Sequence, residues 1–393
     1  MGDIAEAEEL VNPALILSKE HKAINYITKD VVVALKAGGA GTLFWMWISA
    51  FLGMAIKYTE IILAMLYRDK NPDGSFCGGP MYYLQRGIGS RLLALAFTIS
   101  CLFVSFCMGN SVQSNTIATI LSSHFNVSTF HSGVFLMLLT AFVVLGGTKR
   151  IASFSSKLVP VMSLLYIGSC IVILMMKVEI LPSAFHLIFQ EAFSFSSFAF
   201  GTSSYCLLIA MKNGFSKGVF SNEAGLGSAP IAHATTHSSN VIEQGVWGIF
   251  EVFFTTIVIC TLTGLVVLCS DSFLLNELDA INLIKRSFDE VLPQYGSTIV
   301  SISTVLFSLS SIFGWAFYGE CCLRFLFIKY KTVCVLYRVA YVIVVLLGAV
   351  IHMDLIWSFS EIMNGLMAIP NLIGIVLLSG KVKLYLKKHS EHF

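Results

Sequence analysis

Few residues of this 393-residue chain are of a kind that does chemistry, and those few sit inside apolar runs. Lys57 and Glu60 lie three apart in "FLGMAIKYTEIILAM", so on a helix they share a face and can pair, either structurally or as a gating pair. Asn110 and Gln113 fall mid-run in "GNSVQSN", where amides bridge helices or contact a polar ligand. Ser308, Ser310 and Ser311 in "FSLSSIFGW" are small packing residues or, together with backbone carbonyls, hard oxygen ligands suited to Na⁺. His233 and His237 are four apart but lack an HExxH pattern or a matching carboxylate, and a hydrogen-bonded histidine near a helix end accounts for them. No GxSxG, GxxxxGK or paired-carboxylate motif occurs. The ten cysteines form no CxxC pair and read as small hydrophobes. These residues can bind cations and polar ligands at membrane depth. They support no catalytic residue, no transition metal and no organic cofactor, so the chain reads as a non-enzyme.

The elements that must position them are membrane helices. The chain is 56% hydrophobic and 12% charged, with a mean hydropathy of +0.80. Soluble domains carry about a quarter charged residues. No basic patch suggests nucleic acid, and "MGDIAEAEEL" is acidic and not a signal peptide. Crossing the hydrocarbon core takes on the order of 20 apolar residues. That template picks out 42–67, 92–121, 133–147, 158–176, 198–233, 246–269, 298–323, 335–351 and 355–379, about nine crossings. The fifth run is interrupted by Lys212, Gly214 and Lys217 and again by the polar stretch from 218 to 236.

Basic segments (68–91, 148–157, 324–334 and the tail "KVKLYLKK") alternate with segments poor in Lys and Arg, which places the C-terminus in the cytoplasm. With that orientation, nine crossings put residues 1–40 outside. That segment is polar and has no apolar window long enough to span. The parity points to a helix missing at the N-terminus, or else to an odd number of helices.

The stretch "GVFSNEAGLGSAPIAHATT" answers to a different requirement. Glycines and small residues let a membrane helix unwind, and broken backbone at membrane depth is tolerated only where it lines a cavity or is buried in protein. One half-helix then offers free N–H groups, which favour a carboxylate, and the other offers free C=O groups, which favour a cation. An amino acid carried with Na⁺ needs both. On this reading "FSNEAGLGS" is the unwound part, Ser221 and Asn222 make polar contacts, Phe220 is an apolar wall, and Glu223 receives an ammonium group or braces the break. A cytoplasmic loop leading into a capped helix is the alternative.

The same stretch resembles the signature of the alanine/glycine:cation (sodium:alanine) symporter family. Also similar, in order, are "GGAGTLFWMWISAFLGMAIKYTEIILAMLYR", "GGPMYYLQRGIG", "GNSVQSN", "VVLGGTKRIA", "KLVPVM", "FSLSSIFGWAFYGE" and "NGLMAIPNLIGIVLLS", so the resemblance covers 38–380. It implies a leucine-transporter-like bundle of inverted repeats around a midplane site. It also implies uptake of alanine or glycine, including D-alanine, with Na⁺ or H⁺. Carried over by motif, Gln113, Phe220, Ser221, Asn222 and Ser311 contact substrate, and Ser310 and Ser311 lie near sodium. The family often has Thr where Ser311 stands, and Ser311 keeps the hydroxyl. Some positions depart from the pattern. "INYITKDVVVALKA" stands where the family has a "GTGNI"-type segment, Thr255 replaces a usual Asp, and Glu361 stands for Asp.

The expectation is therefore an all-α, multi-pass protein of a bacterial or archaeal cell membrane. Residues 1–40 are a polar segment in which the first core helix is absent or degraded, 41–380 form the transporter domain, and 381–393 are a basic cytoplasmic tail. Its partners are a small neutral amino acid, a coupling cation and the bilayer. The rival readings are a truncated, non-transporting or partner-dependent remnant, and a ligand sensor on the same scaffold.

Overall fold

Backbone N–H and C=O groups find no water in the hydrocarbon core, so apolar runs of this length must satisfy them within helices. The computed structural model describes residues 24–70, 74–193, 202–274, 279–327, 331–351 and 354–390. Its helices are α1 (Ile24–Gly38), α2 (Thr42–Leu66), α3 (Pro80–Tyr83), α4 (Arg91–Phe106), α5 (Val112–Phe125), α6 (Thr129–Val144), α7 (Thr148–Met176) and α8 (Leu181–Ala192). They continue with α9 (Thr202–Asn222), α10 (Ser228–His233), α11 (Val241–Val252), α12 (Cys260–Leu268), α13 (Ala280–Asp289), α14 (Gly296–Leu326), α15 (Lys331–Val350) and α16 (Asp354–Ser390). One two-stranded ribbon, β1 (Asp69–Lys70) with β2 (Phe76–Cys77), runs antiparallel after α2.

Two of the long helices contain a widened π turn. Cys107–Ser111 joins α4 to α5, and Phe253–Ile259 joins α11 to α12. Such turns redirect side chains by adding a residue to one turn, and they are frequent at functional sites.

Seven helices among the described residues are long and apolar enough to cross a membrane. Of the nine expected crossings, 133–147 corresponds to the shorter apolar helix α6, and the run 198–233 corresponds to α9 and α10. Short helices α3, α8 and α13 were not anticipated. α13 shows why: its apolar residues Leu283, Ile284 and Phe288 are buried, but Lys285, Arg286 and Asp289 keep its sequence far from a membrane signal.

Residues 24–38, read from the sequence as part of a polar segment, form helix α1, which packs against α2, α9, α12 and α13. Its Val31, Val32, Ala34 and Leu35 are buried in a core shared with Leu43, Met46, Ile259 and Phe307. Four apolar positions on one face suffice to seat a helix among others, although they do not make a spanning run. Residues 1–23 lie outside the described residues.

The expected interruption at Lys212, Gly214 and Lys217 is not there. α9 runs through all three. A Cβ on Gly214 would stand 2.5 Å from the Trp45 Cβ, so the glycine serves close approach of α9 to α2. Lys217 forms an ion pair with Asp30 of α1 at 3.0 Å. The charge is neutralised across helices and the backbone has no cause to break.

Two further cores complete the bundle. One gathers Met81, Tyr83, Phe97, Trp315, Tyr318 and Met367 from α3, α4, α14 and α16. The other gathers Ile117, Leu136, Ile312, Phe313 and Tyr341 from α5, α6, α14 and α15. α14 packs against α4, α5, α7 and α15.

Candidate functional site

The break follows Asn222. Glu223 has φ 51°, Gly225 and Gly227 have φ 85°, and the helix resumes at Ser228. Left-handed backbone at three of five residues cannot continue a right-handed helix, and glycine takes it without a Cβ clash. Glu223 has no such freedom, and holding a non-glycine residue there costs on the order of 1–3 kcal/mol. Phe220, Ser221 and Asn222, expected to be unwound, instead form the last turn of α9, and the unwound part is 223–227.

Side chains from two directions, α2 and α16, hold the exposed carbonyls. Lys57 Nζ donates to the Asn222 carbonyl at 3.1 Å, which places a cation at the negative C-terminal end of α9. Asn371 Nδ2, from α16, donates to the Gly225 carbonyl at 2.8 Å and to Glu60 Oε2 at 2.9 Å. The Tyr83 hydroxyl donates to Asn371 Oδ1. Ser228 Oγ donates to Glu223 Oε2 at 2.7 Å, and the Ala224 N–H donates to Asn222 Oδ1 at 3.0 Å. Lys57, Glu60 and Glu223 therefore all meet at the break.

On the last turn of α9, Ser221 Oγ lies 3.4 Å from Thr256 Oγ1 and 3.1 Å from Cys260 Sγ, facing the π turn of the α11–α12 pair. Asn222 Nδ2 is buried and has no hydrogen-bond partner among the described residues. It points at Gly53 of α2, where a Cβ would stand only 2.8 Å away. The Phe220 ring is half-buried, with Lys217 Nζ 5.4 Å from its centroid.

Gln113, on the first turn of α5 just past the other π turn, and Ser310 and Ser311, on α14, are on other elements. Gln113 Nε2 donates to the Met108 carbonyl at 3.5 Å, and Asn364 Nδ2 lies 3.2 Å from Met108 Sδ. Gln113 Oε1 and Ser310 Oγ are buried without a partner among the described residues. Ser311 is fully buried one residue on. Tyr341 ties the two elements together, donating to the Ile312 carbonyl at 2.8 Å while Asn110 Nδ2 donates to its own carbonyl at 2.8 Å.

Sequence reasoning missed Asn371, Asn364 and Thr256. The available signal was a polar side chain inside an apolar run, next to Pro370 in the case of Asn371. His233 is fully buried, with Nδ1 3.2 Å from Gln244 Oε1 and Nε2 3.1 Å from Glu251 Oε1. His237 is not part of that group. Its ring lies edge-on to Phe76 at 6.1 Å.

A profile described as the sodium:alanine symporter family matches residues 28–393. The chain belongs to this family. Among its relatives, the sodium/alanine symporter AgcS of Methanococcus maripaludis is 41% identical over 368 residues, 92% of this chain and 80% of that protein. The probable sodium/glutamine symporter GlnT of Bacillus subtilis is 35% identical over 361 residues, 92% and 74% of the respective chains. The family and these relatives are transporters, not enzymes.

The fold of this family member is shared with other membrane transporters. A Na⁺-coupled sialic acid symporter in its substrate-bound outward-open state superposes with a TM-score of 0.61 at 12% identity, covering 91% of this chain and 78% of that one. A manganese transporter of Eremococcus coleocola gives 0.59 at 12% identity, covering 93% and 76%. This family member is thus a multi-pass membrane protein with a transporter fold.

Proposed function

We propose that the chain is a secondary active symporter that takes up alanine or glycine with Na⁺ by alternating access, two inverted repeats rocking around a midplane site. The reading rests chiefly on one observation. Asn222 Nδ2, Gln113 Oε1 and Ser310 Oγ are buried polar atoms without partners among the described residues. Leaving such a group unsatisfied costs about 1–3 kcal/mol, which a polar ligand returns on binding. An amino-acid carboxylate accepts from Asn222 and its ammonium group donates to Gln113, with Ser221 beside them and Phe220 as the apolar wall. The hydroxyls of Ser310 and Ser311 supply hard oxygen to the cation. The C-terminus faces the cytoplasm, because the basic segments lie on that side.

The test is radiolabelled alanine uptake into proteoliposomes, with and without an inward Na⁺ gradient, and with a pH gradient in its place. Saturable uptake driven by Na⁺ and abolished by Asn222→Ala is the expected result. Folded protein with no gradient-driven uptake overturns the symporter reading and favours the non-transporting remnant. Uptake driven by the pH gradient alone reassigns the coupling ion to H⁺.

A further inference from the structure

A cavity of about 260 Å³ opens between one side of α5 from Val112 to Ser123, α13, the start of α16 and Lys29 of α1. It runs from the start of α5 to Ser123, near the α5–α6 turn, and to Trp357, near the α15–α16 turn. Its walls carry two ammonium groups, Lys29 and Lys285, and one carboxylate, Asp279.

Four of the neutral polar side chains there donate to other groups of the protein, and Thr119 adds a neutral hydroxyl. Asn115 Nδ2 donates to the Gly348 and Ile351 carbonyls, Thr116 Oγ1 to Val112, Ser123 Oγ to Ile120, and Asn282 Nδ2 to Asp279. Asp279 is engaged too, since it caps α13 through Oδ1, which accepts from the Asn282 N–H at 2.8 Å, and Oδ2 takes the Asn282 amide at 3.2 Å. The lysines are not engaged in this way. Lys29 Nζ stands 4.6 Å from the centroid of Trp357, and neither lysine makes a hydrogen bond or ion pair with another described residue. Burial lowers the pKa of Lys285, and Asp279 and Asp289 only partly offset this. Two half-buried cations facing one polar space, against one committed carboxylate, leave it short of negative charge.

Through α1 the cavity is linked to the last turns of α9, which lead into the break. Asp30, next to Lys29, pairs with Lys217, and the Lys217 ammonium lies over Phe220. We propose that this cavity is an antechamber that binds the carboxylate of an incoming amino acid between Lys29 and Lys285, beside Trp357, before the amino acid reaches the break. The assignment rests on the transport reading above for the identity of its ligand. Its chemistry is carboxylate recognition by two ammonium groups.

Trp357 is a built-in reporter. Fluorescence of the reconstituted full chain is titrated at constant chloride with L-alanine, acetate and alaninamide, with Trp357→Phe subtracted. Alanine and acetate are expected to give saturable changes and alaninamide none. Lys285→Gln should raise the half-saturating alanine concentration by about tenfold or more, as loss of a charge-assisted hydrogen bond does, and Lys285→Arg should retain the signal. A response to alaninamide equal to that of alanine overturns the carboxylate assignment, as does chloride reproducing the response or a Lys285→Gln curve identical to wild type. Asn222→Ala separates the two readings. A Trp357 signal that persists while uptake is lost supports two distinct sites. Wild-type uptake without any Trp357 signal overturns the antechamber alone, and a signal without wild-type uptake overturns the transport reading alone.

Discussion

Asn371 Nδ2 donates to the Gly225 carbonyl at 2.8 Å, joining residues 146 apart in sequence and fixing α16 against the broken segment between α9 and α10. The same amide group holds Glu60 Oε2 at 2.9 Å and accepts from the Tyr83 hydroxyl. One side chain thereby fastens three elements around the break, and the clearest expectations concern it and its neighbours.

Replacing Asn371 with Leu keeps the branched shape but removes the amide, leaving the Gly225 carbonyl and the Tyr83 hydroxyl without their partner and Glu60 with one hydrogen bond fewer. Each buried group left unsatisfied costs about 1–3 kcal/mol. A marked fall in the thermal midpoint of the purified protein is expected, with uptake lost in parallel. An unchanged midpoint would show that water or another side chain replaces the amide.

Gly53→Ala acts on the site rather than on the fold. Its Cβ would stand 2.8 Å from Asn222 Nδ2 and 3.2 Å from its Cγ. The carboxamide must swing away from its position on the last turn of α9. Calorimetry should show alanine affinity down by about tenfold, or 1.4 kcal/mol, with little change in melting temperature. Wild-type affinity in this variant would remove Asn222 from the substrate contacts.

Ser310→Ala removes a buried hydroxyl that has no partner among the described residues. No internal hydrogen bond is lost, so stability should hold or rise slightly. The Na⁺ concentration for half-maximal uptake should climb severalfold, while the half-saturating alanine concentration at high Na⁺ stays near wild type. A destabilised protein with unaltered Na⁺ dependence would point to a packing role instead.

Two acidic residues should respond very differently to neutralisation. Glu320 is buried and holds Arg324 at 2.8 Å and Arg338 of α15 at 2.7 Å. Glu320→Gln leaves both guanidinium groups short of a counter-charge and should cost about 3–5 kcal/mol. Asp69 of the ribbon pairs with Arg86, and both side chains are more than two-fifths accessible. Asp69→Asn should cost under about 1 kcal/mol, and less at high salt. Parallel thermal melts decide the contrast, and equal shifts would sink it.

Much of the bundle was legible because its cause is local. A run of apolar residues long enough to cross the hydrocarbon core must be helical wherever it packs, and the long runs in 42–67, 92–121, 246–269 and 298–323 are helices in the structure. The glycines at 225 and 227 likewise mark a break by their own backbone freedom. The edges of that break were not readable. Whether Lys217 interrupts α9 depends on Asp30, and whether Gly214 unwinds or packs depends on Trp45. Neither partner is near in sequence.

The sequence by itself determined that this is a helical membrane protein, that one helix is interrupted near residue 222, and that polar side chains lie at membrane depth on several runs. Only the tertiary structure decided which of those side chains meet. Lys57, Glu60, Glu223 and Asn371 converge on the break, while Gln113 and Asn364 both reach Met108 of the other π turn. Hydropathy and backbone propensity are properties of a segment. A hydrogen bond across 146 residues is a property of how the helices pack, and composition carries no record of it.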